Sequence, residues 1–474
     1  MKVWDTIAAI STPPGKGGVA LLRVSGDRAL EIAERVFHPA GGRKLSELPS
    51  RYAVFGKILA PVAEDGIWQD VDEGLATVFR APASFTGENT VEISCHGGVL
   101  VTQTVLSALL AAGARMAEAG EFTRRAYLNG KLGLSVAEAL GSLLEAESVQ
   151  QMTLAHSGMS GRLEQRMREI YEELRRVLSS ALACIDFPEE DLAEMSREDM
   201  AATVEQCGAA LERLKDTYRT GHAIAEGIPT VLCGAPNVGK SSLYNRLVGH
   251  EAAIVTAVEG TTRDVLTEVI TLGQVTLRLF DTAGLRETND AVEKIGVERA
   301  RHVRDTAELI LAVFDVTRPM KEEEERELIW LRNRRAQGVA VIALYNKWDA
   351  VADGGADPFG VIRCVEAALP DGVPFSAKTG EGMAVLSERV GTLFVDEKIR
   401  LREDAIVANA RQMAAVSRAR EAVDRARESL QGGVPVDLCC VDLEYAMREL
   451  GQIDGREVDE DVVDQIFHHF CVGK

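Results

Sequence analysis

The chain has 474 residues, room for about three domains at roughly 150 residues each. Apolar residues make up 46% and charged residues 27%, with only 14 prolines, which excludes a small disulfide-stapled scaffold, a disordered chain and a collagen-like repeat. The 73 acidic against 53 basic side chains leave a formal charge of -20, which argues against a chain-wide basic coat for nucleic acid while leaving room for a local basic groove.

Met1 to Ile10 lacks the continuous apolar core of a secretory signal. No stretch approaches the roughly 18 uninterrupted apolar residues that span a bilayer, so a cytoplasmic protein is expected. Residues 1–120 mix β-rich runs at Val19 to Val24, Tyr52 to Leu59, Leu75 to Phe79 and Val91 to Cys95 with a helical run at Val101 to Ala112. They predict a compact α+β domain. Residues 121–219 turn to long helical runs, Arg162 to Ala183 and Met200 to Tyr218, with leucines three and four residues apart. Residues 220–390 alternate short apolar strands with helical stretches, the pattern of a parallel sheet. Helical patterning returns over residues 391–474. A multidomain α/β fold is expected, in which one discontinuous helical domain carries the βα unit as an insertion. Two helical domains in series are the alternative. The eight cysteines form no CxxC pair and no zinc spacing with histidine, so most are expected to be small buried hydrophobes.

The strongest chemical pattern is Gly234-Ala-Pro-Asn-Val-Gly239-Lys240-Ser241, lying between the apolar strand Ile228 to Cys233 and the helical Ser242 to Val248. It matches GxxxxGK[ST]. There the backbone amides around Asn237, Val238 and Gly239 can wrap phosphates at a helix N-terminus, Lys240 neutralises the β and γ groups, and the Ser241 hydroxyl takes Mg²⁺, with Ser242 next to it. Leu277 to Phe280 then ends in Asp281-Thr282-Ala283-Gly284, a carboxylate for the Mg²⁺ shell and an amide for the γ-phosphate. Val339 to Leu344 leads to Asn346-Lys347-Trp348-Asp349, whose last carboxylate can accept the N1–H and N2 amino protons of guanine, selecting GTP over ATP. Val373 to Phe375 leads to Ser376-Ala377-Lys378, expected at the guanine O6. The segment holding Thr256, Ala257, Val258, Glu259, Gly260, Thr261 and Thr262 reads as a switch loop around the nucleotide. A water-orienting glutamine is missing after Gly284, where Leu285 stands. Arg286, Glu287, Asp290 and Glu293 follow nearby, and Arg286 or a bound monovalent cation could supply the missing positive charge.

Together with Pro13 to Gly18, Leu22 to Gly26, Ser84 to Glu88, Cys95 to Gly98, Gly120 to Arg125, Leu128 to Leu132, Asp186 to Glu189 and the terminal Phe470-Cys471-Val-Gly-Lys474, these motifs make the chain similar, over essentially its whole length, to the tRNA-modification GTPases of the MnmE (TrmE) family. The resemblance implies a homodimer whose GTPase domains pair across a potassium ion, with Glu293 positioning the attacking water. Taken alone, Glu293 reads as a solvated helix charge. The implied potassium ligands are Asn237, Thr256, Val258 and Thr261, and the implied magnesium ligands are Ser241 and Thr262.

The resemblance also implies a 5-formyl- or methylene-tetrahydrofolate site at Arg23, Glu92, Lys131 and Lys474. A carboxylate such as Glu92 can read the pterin edge, and cations suit the glutamate tail, although Arg23 and Glu92 alone read as strand-end charges. Cys471, beside His468, His469 and Lys474, is either a nucleophilic or redox thiol or part of a hydrophobic docking tail. The family function implied is GTP hydrolysis coupled to modification of the wobble uridine of certain tRNAs. It implies an FAD-dependent partner of the MnmG (GidA) type in a heterotetramer or larger assembly, since this chain has no dinucleotide-binding glycine fingerprint after a strand. The rival reading is a regulatory GTP switch in ribosome assembly or stress response, without RNA chemistry.

Overall fold

The computed structural model describes residues 5–61, 67–186, 195–250, 267–280, 304–351, 357–432 and 435–473. The chain divides into two units, residues 1–141 with 451–474, and residues 142–450.

The first unit is built on a seven-stranded sheet of β1 (Ile7–Ile10), β2 (Val19–Ser25), β3 (Phe37–Pro39), β4 (Tyr52–Pro61), β5 (Trp68–Phe79), β6 (Thr90–His96) and β7 (Arg115–Met116). The spatial order is β3-β4-β5-β6-β2-β1-β7. All neighbours are antiparallel except β1 and β7. In β6 the alternate residues Val91, Ile93 and Cys95 are buried, the period-two pattern of a sheet with one face on its core. The helices Ala29–Val36 and Val99–Ala111 supply Ile32, Ala33, Val105 and Leu109 to that core. The rest of this unit comes from both ends of the chain. Tyr127 and Leu134 pack with Val463, Phe467 and Phe470, and Val472 makes an antiparallel bridge to Ala119. Residues 121–141 and 451–474, expected with the helices, instead group with the N-terminal sheet: the two segments pack on each other, and Phe122 packs with Ile7 and Ala9 of β1.

The second unit holds a six-stranded sheet of β8 (Ile228–Cys233), β9 (Thr267–Leu272), β10 (Val275–Phe280), β11 (Leu309–Asp315), β12 (Ala340–Asn346) and β13 (Val373–Pro374). Its order is β13-β12-β11-β8-β10-β9, parallel except for the edge strand β9. All seven residues of β11 are buried. Leu309, Leu311 and Val313 face one apolar cluster and Ile310, Ala312 and Phe314 the other, as a parallel sheet covered on both faces requires. The central β8 has β10 on one side and β11 on the other, so the loop leaving it opens at a topological switch point, the usual crevice for ligands in such sheets. Around this sheet in sequence, but packed together in space, lie the helices Arg197–Ala225 and Ala410–Gln431, joined by Arg420 to Glu212 at 3.3 Å and by Arg197 donating to the carbonyls of Leu430 and Ser429. The first of these helices starts at Ser196, whose hydroxyl accepts the Asp199 amide, with Glu198 and Asp199 in its positive first turn.

The first unit is pinned by a buried ionic cluster. Arg125 is 1% exposed. It donates to Glu88 Oε1 and Oε2 at 3.2 Å, to Glu121 Oε1 at 2.9 Å and to the Asp5 carbonyl at 2.9 Å, while Ser25 donates to Glu88 at 2.7 Å and Arg115 to Glu121 at 2.7 Å. Burial disfavours the Glu121 carboxylate, but Arg115, the Glu118 amide and Arg125 outweigh it and hold its pKa below the usual range. That stabilisation is present at neutral pH and is lost as pH falls through the lowered folded-state value. Replacing Arg125 by Met leaves the buried Glu88 without its guanidinium and removes one of the two that serve Glu121, which keeps Arg115. The expected cost is about 3–5 kcal/mol, seen as a lower urea midpoint for the first unit; a change under about 0.5 kcal/mol would mean the cluster contributes no net stability.

Candidate nucleotide and N-terminal sites

The phosphate loop leaves β8 at Gly234 and enters the helix Lys240–His250. Its path requires glycine twice. A Cβ on Gly234, at φ +140, would lie 2.4 Å from the Val313 carbonyl, and one on Gly239, at φ +106, would lie 2.1 Å from the Asn346 amide nitrogen. Asn237 also takes a positive φ of 65. Asn237, Ser241 and Ser242 are exposed, whereas Val238 is buried and anchors the loop in the core. Lys240 Nζ caps the carbonyls of Gly234 at 2.5 Å and Ala235 at 2.8 Å, so the ammonium lies within the loop that would cradle phosphates.

The loops expected to meet the base are held by a bridge from one side chain to two backbones and by side-chain pairs. Asn346 Nδ2 donates to the Val238 carbonyl at 2.7 Å, and its Oδ1 accepts the Ala377 amide at 2.9 Å. Ser376 donates to Asp349 Oδ1 at 2.7 Å, and Lys378 Nζ stands 3.9 Å from Asp349 Oδ2. Lys347, at φ +65, directs its ammonium to Asp315 at 2.5 Å. Asn237, Val238, Gly239, Lys240, Asn346, Lys347, Asp349, Ser376, Ala377 and Lys378 are thus brought to one end of the sheet. A carboxylate placed as Asp349 is, beside a hydroxyl donor, can accept two further hydrogen bonds from an amide and amino edge.

Other contributors carry no motif. Arg246, on the helix that begins at Lys240, donates to the Ala377 carbonyl at 3.3 Å and to that of Lys378, tying the phosphate-loop helix to the 376–378 loop. Glu327, on the helix Glu322–Ala336, lies behind the phosphate loop with Arg304 at 3.5 Å. Burial pushes its carboxyl up despite attraction from Arg304 and Lys240 and a hydrogen bond from the Gly234 amide. No spacing rule singles out either residue, because each acts through contacts distant in sequence. Thr256, Ala257, Val258, Glu259, Gly260, Thr261 and Thr262, the Asp281-Thr282-Ala283-Gly284 segment, Leu285 to Asp290, Glu293 and Lys474 lie outside the described residues. Among the described residues no group of three His, Cys, Asp or Glu could hold a metal ion.

In the first unit, Arg23 on β2 and Glu92 on β6 are cross-strand neighbours. Arg23 Nε and Nη2 donate to Glu92 Oε1 at 3.0 and 2.8 Å, and the guanidinium lies 5.4 Å from the Phe85 ring centre and 5.5 Å from that of Phe122. The expectation of strand-end charges reaching solvent does not fit: the two side chains are only 15% and 23% exposed. Lys131 Nζ donates to the Pro82 carbonyl at 2.9 Å, so Lys131 and Arg23 both border the turn carrying Pro82 and Phe85. The C-terminal tail is attached through its backbone: the Gly120 amide donates to the Cys471 carbonyl at 3.4 Å and Ser11 Oγ to the Gly473 carbonyl at 3.1 Å. Phe470 is buried while the Cys471 side chain is exposed.

Comparison with known proteins gives these sites a context. Residues 134–471 match the family model of the MnmE helical domain, and residues 6–131 that of the GTP-binding protein TrmE N-terminus. The chain is 42% identical over 473 residues to the tRNA modification GTPase MnmE of Symbiobacterium thermophilum, covering 99% of each. It is 40% identical over 475 residues to that of Geobacillus thermodenitrificans, covering 100% of each. A solved structure of Era in complex with MgGDPNP and nucleotides of 16S ribosomal RNA is 20% identical, covers 51% of this chain and 98% of that one, and has a TM-score of 0.28. With two family models side by side along the chain and relatives matched from end to end, the chain belongs to the MnmE family of tRNA modification GTPases.

Proposed function

We propose that this chain is a cytoplasmic, homodimeric, potassium-dependent GTPase. With an FAD-dependent partner of the MnmG type, it installs a carboxymethylaminomethyl or aminomethyl group at C5 of the wobble uridine of certain tRNAs, drawing on a tetrahydrofolate one-carbon unit. The observation that supports the reading is the Asn346 bridge, which ties the phosphate loop to the 376–378 loop beside Asp349. The proposed organisation is an N-terminal domain at 1–120, helical parts at 121–219 and 391–474 and a GTPase part at 220–390 between them, with residues 121–141 and 451–474 of the helical parts grouping with the N-terminal sheet. The relatives are named as tRNA modification GTPases, and among the described residues no helix is long and apolar enough to cross a membrane.

Within this reading Lys240 exchanges its carbonyl partners for phosphate oxygens, and Asp349 accepts the guanine edge while Ser376 steadies its other lone pairs. Ser241, at the helix start and exposed, suits Mg²⁺, which with Thr262 in its shell would draw charge from the β- and γ-phosphates. Asn237, Thr256, Val258 and Thr261 are assigned to K⁺, which would supply positive charge where no arginine does. Glu293 is assigned to orient the attacking water. These potassium and water-orienting roles rest on the family. The paired and partly buried Arg23 and Glu92, flanked by Phe85 and Phe122, fit a flat heterocycle with an amide edge, and Lys131 and Lys474 are assigned to the folate tail. Cys471, exposed on a tail fixed by its backbone, is assigned a role in the same chemistry.

The function is tested by mass spectrometry of wobble uridines in tRNA from a strain lacking the protein: loss of the C5 substituent is expected, and an unchanged profile would sink the reading. GTP hydrolysis is expected to be faster in K⁺ than in Na⁺ and to fall about 10²- to 10⁴-fold in Glu293→Ala; equal rates in the two salts, or an unaffected variant, would refute the mechanism. Arg23→Ala is expected to weaken binding of reduced folate about 10- to 100-fold, the loss of a hydrogen-bonded charge, as followed by titration calorimetry. Unaltered affinity would remove Arg23 from the site.

A further inference from the structure

Beside the base-reading loops stands a carboxylate that no nucleotide motif includes. Asp315 is the last residue of β11, in register with Asn346 at the end of β12, and it is 5% exposed. Its Oδ1 accepts the Thr317 amide at 3.0 Å and the Thr317 hydroxyl at 2.6 Å, and its Oδ2 accepts Lys347 Nζ at 2.5 Å. Arg318 Nε lies 3.5 Å from the same oxygen, but that guanidinium is already engaged by Glu324 through two bonds of 2.8 and 2.9 Å. Burial works against the Asp315 carboxylate; hydrogen bonds from Lys347 and Thr317 prevail and hold its pKa below the usual range. Asp315 is therefore a charged acceptor at neutral pH, with Lys347 as its closest cation.

The consequence falls on Asp349, two residues beyond Lys347. An ammonium on a flexible four-carbon stem pairs with whatever carboxylate is in reach, and Asp349 already has Lys378 at 3.9 Å. A second cation settling on Asp349 would occupy the lone pairs that the guanine edge needs, and a base could then bind only by displacing it.

We propose that Asp315 is a specificity-determining positioning residue: by holding the Lys347 ammonium, it keeps that charge off Asp349 and leaves this carboxylate to the N1–H and N2 amino group of guanine. This rests on the reading of Asp349 as the guanine acceptor. The discriminating ligand is inosine diphosphate, which keeps N1–H and the phosphates but lacks the exocyclic amino donor.

The test measures GDP, IDP and ADP affinities of the full-length chain with Mg²⁺, by competition against a fluorescent GDP analogue. The wild-type chain is expected to prefer GDP over both competitors; if it does not, the guanine reading itself fails. Asp315→Asn is expected to lower the GDP-over-IDP preference about tenfold, the scale of one charge-assisted hydrogen bond. Lys347→Met is expected to keep the wild-type preference while binding every nucleotide more weakly, and the double variant to match Lys347→Met. A purely structural Asp315 would weaken GDP and IDP by the same factor, which would overturn the proposal. So would a lowered preference in Lys347→Met alone, a readout that holds even if Asp315→Asn fails to fold.

Discussion

Asn346 is 2% exposed, and its amide is shared between two backbones: the nitrogen serves the Val238 carbonyl and the oxygen the Ala377 amide. A buried amide with one end unmet costs on the order of 1–3 kcal/mol, so the phosphate loop and the 376–378 loop must both be in place for this side chain to be satisfied. Gly239 is glycine for the same reason, since the Asn346 nitrogen occupies the space a Cβ would need. Arg246 repeats the connection from the helix side. The spacing between the phosphate loop and the 376–378 loop is therefore set by a buried polar contact, the kind of preorganisation that lowers the ordering cost of binding.

The first unit follows a comparable rule with different chemistry. Ser25, Glu88 and Arg125 come from three separate sequence motifs and meet in one ionic cluster, while Arg23 and Phe122 from the same segments meet at the neighbouring site. A cluster of this type gives little net stability relative to a hydrophobic replacement of equal volume, but it penalises any partly assembled state. It fixes the register of the helix Glu121–Leu128 against the turn carrying Phe85. The ring of Phe122 is thereby held under the Arg23 guanidinium.

The GTPase sheet could be read largely from sequence because its evidence is local: apolar runs of strand length, each ending in a polar motif at the place where a parallel sheet exposes its loops. The strands at Ile228–Cys233 and Val373–Pro374 agree with the expected runs to within a residue, while the run expected at Val339 to Leu344 continues to Asn346 and thus carries the first residue of the Asn346-to-Asp349 motif on the strand itself. Short pieces were not evident. β1 has four residues and β3 three, too few for a periodicity, and their existence depends on partners far along the chain. The grouping of 121–141 and 451–474 with the first unit was equally out of reach, since Phe467 and Phe470 show an apolar face without naming what covers it. Arg246, Asp315 and Glu327 escaped for a related reason: each is an ordinary charged residue until the fold supplies the neighbour that it contacts.

The attachment of the last residues to the first sheet has a consequence for how the chain is made. Synthesis delivers residues 1–141 early, yet the aromatic pair Phe467 and Phe470 that caps Leu134 and Ala137 arrives more than 300 residues later. The unit begun first therefore closes only after the intervening sheet and helices of residues 142–450 have been made. Domains in general fold in order of emergence; here the flank formed by Leu134 and Ala137 stays uncovered until Val463, Phe467 and Phe470 have been made, well after the N-terminal sheet itself.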